Sequence, residues 1–372
     1  MQNEKIPTRQ LFGLLIVARL SFSISSILAL HVPPHNQDQW VMVIVACLYI
    51  AISSMPILFL ANRINKDTVK GFVTSIYGRP LSRLMGVLYL IYFIILTIDA
   101  IILQTELVTT SILPESSNYL ITTLMLMVCI YMTSRGVIVI LRSVDLLIPV
   151  IYSILFVLMV LGINNVDFSL FLPILSDSTI NDINKGALIL STLYNDIIII
   201  AMLVPELKNK NISTRVFFGS LITNMIILNI VIIITQGALG IEYARHSLFP
   251  FLIYVRLINL ARIVERIAAV FVVMWLLTIT FRINILLYLA TKILRDIFNK
   301  GEDDKLCLFI VSTIVWIVSI GITVMRPVVG TRNDLNNYLA IIFVIYIIII
   351  PLITCMIFLF RRKSISGAKN QK

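Results

Sequence analysis

Charge is the first thing this sequence is short of. Only 13% of its 372 residues are Asp, Glu, Lys or Arg, against about a quarter in a water-soluble domain. Hydrophobic residues make up 59%, and the mean hydropathy is +0.99. A soluble fold cannot hide that much apolar surface, whereas a bilayer accepts it. Cysteine is sparse and unpaired: Cys47, Cys129, Cys307 and Cys355 stand singly in apolar stretches, without metal-ligand spacing, and read as small buried hydrophobes. Histidine is limited to His31, His35 and His246, none beside another ligand type at metal spacing. No phosphate-binding glycine loop, GxSxG, HExxH or paired His/carboxylate constellation is present. The sequence therefore excludes the familiar membrane-enzyme chemistries and implies no metal or cofactor. The net charge of +11 raises nucleic acid as a partner. The basic residues lie in short loops between apolar runs, with no interleaved aromatics, so nucleic acid is excluded and the lipid bilayer is the environment.

What is there is a series of apolar runs long enough to cross it. A core of about 30 Å takes roughly 20 helical residues at 1.5 Å each. Such runs fall near 10–30, 40–61, 84–105, 118–134, 145–163, 187–205, 217–241, 266–290, 306–325 and 338–360. The run 118–134 is short and 10–30 is diluted by serine, which leaves nine or eleven as alternatives to ten. The chain is read as one all-α integral-membrane domain over 1–372, with no soluble domain. The stretch 249–260, opened by Pro250, predicts an interfacial or re-entrant helix between spans. Arg19 interrupts the first run and no small-x-small cleavage site follows it, so 1–30 is read as a retained span rather than a signal peptide.

Lysine and arginine give the orientation. With the N-terminus inside, the inner segments hold 21 basic residues and the outer loops 7, with Arg19 and Arg282 inside spans. Both termini are predicted to be cytoplasmic, and 361–372 is a basic tail.

Two spans carry polar residues where a lipid-facing helix has none. The first contains Ser21-Phe22-Ser23-Ile24-Ser25-Ser26, and the sixth contains Ser191-Thr192-Leu193-Tyr194-Asn195-Asp196 inside an isoleucine-rich run. An Asp at mid-span costs about 2.5–3.5 kcal/mol on insertion scales, and each of the isoleucines at 197–200 returns about 0.3–0.6. The span still inserts, but the polar cluster must face protein or water. If 1–5 and 6–10 are repeats (about 10–163 and 187–360), these two spans hold equivalent places. Five being odd, the second repeat inserts inverted. Interrupted helices at matching positions of two halves mark a midplane binding site. The candidate ligand-binding residues are Ser21, Ser23, Ser25, Tyr92, Tyr194, Asn195, Asp196 and Thr278. Serines that bond back to their own helix, interhelical bonding by Asn195 and Asp196, and core packing of Tyr92 are the alternatives. Asp99 is placed to pair with Arg282 or Arg19, as a structural ion pair or as part of the pocket.

Several segments in order resemble the B subunit of Ger-type spore germinant receptors, a branch of the amino acid–polyamine–organocation transporter superfamily. They are 10–30, Tyr77-Gly78-Arg79 before span 3, Pro205-Glu206 and the basic loop after it, and Glu265-Arg266 with Trp275 ten residues on. The resemblance runs over essentially the whole chain. It implies a LeuT-like 5+5 inverted repeat with broken helices 1 and 6, in the inner membrane of a dormant spore. It also implies an A-type membrane subunit and a C-type lipoprotein as partners, and a small germinant, often an amino acid, as ligand. Where family members commonly carry glycines at the first break, Ser23 and Ser25 stand here, and the second break has Tyr194-Asn195-Asp196. A carboxylate there suits a cationic or amino-bearing ligand. A stand-alone amino acid or polyamine transporter of the same superfamily is the alternative function.

Overall fold

The computed structural model describes residues 5–25, 27–64, 68–192, 194, 197–208, 213–258, 264–301, 304–329 and 340–367. The described residues are mostly helical. The order is α1 (Thr8–Ser25), a 3-10 turn (Leu28–His31), α2 (Gln39–Ala61), α3 (Val69–Tyr77), α4 (Arg79–Ser111), α5 (Asn118–Ser134) and α6 (Val137–Leu161). It continues with α7 (Ile180–Thr192), α8 (Ile197–Leu203), α9 (Ser213–Leu239), α10 (Ile241–His246), α11 (Pro250–Leu257), α12 (Val264–Phe298) and α13 (Lys305–Val329). A π-helical stretch, Val344–Ile349, runs into α14 (Ile350–Gly367).

Among the described residues eight helices are long and apolar enough to cross a membrane, α7 and α8 counting as one crossing; α5 is a shorter apolar helix. Their outward faces are apolar as well. On α2, Ile44, Leu48, Ile52 and Met55 recur every three or four residues and are 50–61% exposed. The opposite face of the same helix buries Met42, Val43, Ala46, Ile50 and Ile57. An outside this apolar excludes water as the solvent of that surface.

Helices α4 and α12 form the longest packed pair, at 33 and 35 residues. At 1.5 Å per residue each is about 50 Å long and outruns the hydrocarbon core. This is why they exceed the expected runs 84–105 and 266–290. Helix α1 lies inside the bundle against α6, α9 and α12, and 11–21 is buried except for Phe12.

The segment 61–83, read as a loop, contains α3. The Thr68 hydroxyl caps its first turn by accepting from Gly71 N at 3.1 Å, and Phe72 and Ile76, four apart, bury its inner face. Gly78 at φ 85° ends α3 and opens α4, a conformation that Cβ-bearing residues avoid. Helix α11 occupies the stretch opened by Pro250. Its Phe251, Tyr254 and Val255 are fully buried against neighbouring helices.

Candidate functional site

Both spans singled out by their polar residues are interrupted. Helix α1 stops at Ser25, and Ile27 has left-handed dihedrals (φ 36°, ψ 62°) before the 3-10 turn starts. A β-branched residue in that region is strained, and such strain persists only where the surroundings hold it. Helix α7 stops at Thr192 and α8 starts at Ile197; Tyr194, between them, is non-helical and buried. Asn195 and Asp196, and the side chain of Ser25, lie outside the described residues.

The two interruptions touch. Ser23 Oγ is 2.9 Å from Tyr194 Oη and donates to Asn224 Oδ1 on α9 at 3.1 Å. Since a serine has one hydroxyl proton, the Tyr194 hydroxyl is the donor to Ser23. Asn224 in turn donates through Nδ2 to the Ile16 carbonyl at 3.4 Å. The result is a polarised relay from the second break, through the first, to the third helix beside them. Ser23 is 5% exposed, Tyr194 7% and Asn224 0%.

Two buried cations flank this relay. Arg19 donates from Nη1 to Ser220 Oγ at 2.9 Å, with its guanidinium 5.1 Å from the Phe217 ring centroid on α9. Arg282 on α12 donates from Nη1 to the Ala18 carbonyl at 2.8 Å, and Ser21 Oγ donates to the same oxygen at 2.9 Å. The Ser21 carbonyl accepts from Trp275 Nε1 at 3.1 Å. Helix α1 is thus held on one side by α9 and on the other by α12, one turn before it breaks.

The remaining predicted residues are not gathered into one cluster with these. Thr278 is buried on α12, and its hydroxyl donates to the Trp275 carbonyl of its own helix at 2.7 Å. Tyr92, fully buried on α4, has its ring 4.9 Å from that of Tyr346 and packs edge-on to Phe93 at 5.3 Å. Asp99 is half-buried two turns further along α4. Sequence reasoning missed Asn224, Ser220 and the anchoring role of Trp275. The signal for the first two was present: a serine and an asparagine four apart inside the apolar run of α9.

Two further sets of contacts bracket the site. On the side carrying the chain's basic loops, Ile6 pairs with Leu207 through backbone bonds, Ile6 N to Glu206 O at 2.8 Å and Lys208 N to Ile6 O at 3.0 Å. Glu206 is paired with Lys292 of α12, and Arg9 with Asp145 of α6 at 2.8 Å. On the opposite side, Asp38 is fully buried and accepts from Leu175 N at 2.9 Å and Ser178 Oγ at 2.6 Å. Gln37 donates to Asp177 at 2.8 Å. These contacts fasten loop 32–38 to loop 172–179. Within this clasp, desolvation by burial is the chief cause that lowers the His35 pKa below its ordinary value of 6.5. Among the described residues no group of three or more His, Cys, Asp or Glu is arranged to hold a metal.

A helical bundle with lipid-facing apolar stripes and two interrupted helices meeting at their breaks defines a multi-pass membrane protein of LeuT-like fold. The solved structure of MhsT in complex with L-phenylalanine superposes with a TM-score of 0.66, covering 93% of this chain and 87% of that one at 14% identity. The model of the spore germination protein family matches residues 5–326, and the chain belongs to that family. Spore germination protein KB of Bacillus subtilis (strain 168) is 20% identical over 315 residues, 82% of each chain. Spore germination protein XB of Bacillus anthracis is 21% identical over 283 residues, 75% of this chain and 78% of the relative.

Proposed function

We propose that the protein is the membrane subunit of a spore germinant receptor, a binding protein rather than an enzyme. It takes a small amino-bearing germinant between the breaks of α1 and α7/α8. The observation that carries this is the Tyr194–Ser23–Asn224 relay, which joins the two interruptions to a third helix at buried positions. Freed backbone groups at helix breaks hold ammonium and carboxylate groups in such sites. That MhsT was crystallised with L-phenylalanine supports an amino acid as the ligand class. Asp196 is assigned the ammonium, the serine-rich end of α1 the carboxylate, and Tyr92 and Thr278 the sides. Ligand binding then shifts the balance between two arrangements of the bundle by its differential affinity for them. An A-type membrane subunit and a C-type lipoprotein in the spore inner membrane read the change.

The test is germination of spores carrying Ser23→Ala, Tyr194→Phe or Asp196→Ala, scored against a panel of amino acids and nucleosides, with receptor abundance followed by immunoblot. Loss or redirection of the response at normal abundance supports the assignment, and an unchanged response in all three overturns it. Robust uptake by the purified chain alone in liposomes would instead identify a transporter.

A further inference from the structure

A hollow lies beside α8, toward the end of the molecule that carries the basic loops. It is a cavity of ≈ 140 Å³ enclosed by α2, α3, α4, α8, α12 and α14. Its walls are mainly apolar, with Ile57, Ile198, Met202 and Ile297 contributed by three helices, and Phe72, Tyr77, Tyr89 and Thr354 also lining it. Its charged lining residues are Lys70, Arg83 and Asp296. Lys70 in the first turn of α3, Ser82 and Arg83 in the first turns of α4, and Asp296 in the last turn of α12 all line it. Along α4 the lining runs from Ser82 to Tyr89, about 10 Å of depth at 1.5 Å per residue. The hollow therefore has an apolar interior and a charged mouth.

The mouth is cationic on balance, two bases to one acid. Lys70 donates to the Asp296 carbonyl and to Asn299 Oδ1 at 2.6 Å, both neutral acceptors that leave its charge in place. Arg83 is exposed and makes no hydrogen bond or ion pair among the described residues. Beside Arg83 the outward stripe of α4, Leu81, Leu84, Val87 and Ile91, is 39–53% exposed, an apolar face suited to acyl chains. The mouth thus opens next to the lipid at headgroup depth. Basic pockets between membrane helices suit anionic headgroups, and an apolar hollow suits a hydrocarbon chain.

We propose that this cavity is a binding site for one anionic phospholipid of the adjoining leaflet. An acyl chain lies among Ile57, Ile198, Met202 and Ile297, and the phosphate sits on Arg83 and Lys70. Because α8 continues the second break and α12 carries Arg282, a lipid here braces the helices that hold the germinant site. The inference does not depend on what that site binds.

The experiment uses the full chain in a neutral detergent, with dioleoyl-phosphatidylglycerol and dioleoyl-phosphatidylcholine as probes and inorganic phosphate as the headgroup control. Retained lipid is counted by native mass spectrometry, and thermal melting is followed in parallel. One phosphatidylglycerol is expected to be retained about tenfold more strongly than phosphatidylcholine: both carry the phosphate, but choline adds a cation beside Arg83 and Lys70 that glycerol lacks. Arg83→Gln should remove most of that preference, and adding Lys70→Gln the rest, with phosphatidylglycerol retention falling further than phosphatidylcholine retention. Since Lys70 also ties α3 to α12, the single Arg83→Gln variant is decisive if the double variant fails to fold. Equal retention of the two lipids, an undiminished preference in Arg83→Gln, or equal protection by inorganic phosphate would overturn the proposal.

Discussion

Ser23 holds two partners, Tyr194 at the second break and Asn224 on α9, so its removal is felt beyond α1. Ser23→Ala removes the Tyr194–Ser23 bond and leaves Asn224 Oδ1 without the Ser23 donor at a buried position. A buried polar group left unsatisfied costs about 1–3 kcal/mol. We expect Ser23→Ala to lower the melting temperature in detergent. Tyr194→Phe should do so less, and the double variant should lose less than the sum, with a coupling of about 0.5–3 kcal/mol; strict additivity would place the two hydroxyls in separate networks. Arg282 poses a different question. Its guanidinium is 2% exposed and bonded to the Ala18 carbonyl. If Asp99 is its ionic partner, Arg282→Leu should reduce abundance, and Arg282→Leu with Asp99→Asn should recover part of it, because breaking a buried pair is worse than removing both charges. Normal abundance of Arg282→Leu with altered ligand preference would put Arg282 in the pocket. At this scale the sequence was informative wherever a polar residue interrupted an apolar run: Ser23 and Tyr194 were legible for that reason. Asn224 carried the same signal. What a linear reading lacks is the partner, since Ser23 and Asn224 are 201 positions apart and only packing of α1 on α9 joins them.

Loops and caps set which elements stay together. The outer clasp joins 32–38 to 172–179 through Asp38, Ser178 and Leu175, and His35 lies within it. Burial, partly offset by a backbone bond to Leu30 and reinforced by the charges of Arg245 and His246, holds the His35 pKa below 6.5. Between the folded-state value and 6.5 the unfolded chain binds the additional proton. The stability from this group is therefore fully present above about pH 6.5 and declines as pH drops below it, until the folded-state value is passed. The melting temperature should fall between about pH 7.5 and about pH 5.5, and His35→Gln should flatten that slope; an identical slope in the variant would remove His35 from the account. Asp38→Ala should additionally expose 166–179 to limited proteolysis, since the Leu175 amide and the Ser178 hydroxyl lose their acceptor. The elements themselves were unequally legible. Long apolar runs announced α2, α6, α9 and α13, because twenty such residues have few other fates. Helix α3 was not foreseen: its apolar face is only Phe72 and Ile76, too short a pattern to separate from a basic loop without seeing what those two side chains bury against.

For the molecule as a whole, the direction in which it sits decides what each site can meet. The loops around α3, the start of α9 and the end of α12 carry 12 of the 21 inner Lys and Arg in the 21 to 7 division. The positive-inside rule counts just such short loops near span ends. The Ile6–Leu207 pairing and the Glu206–Lys292 tie bind the start of α1 to the end of α8 and to α12 on that same side. We propose ten crossings with both ends cytoplasmic, so the clasp at Asp38 faces out and the basic cavity faces in. Single-cysteine labelling tests this directly. With Cys47, Cys129, Cys307 and Cys355 replaced by alanine, Glu115→Cys and Gly301→Cys place thiols at exposed positions on opposite sides; a Cβ at Gly301 meets nothing within 4 Å. An impermeant maleimide should label Glu115→Cys in intact protoplasts, and Gly301→Cys only after permeabilisation. The reverse result would turn the molecule over. The germinant would then have to arrive from the side of the Ile6–Leu207 pairing, and Arg83 would meet the outer leaflet, so one labelling pattern constrains both sites at once.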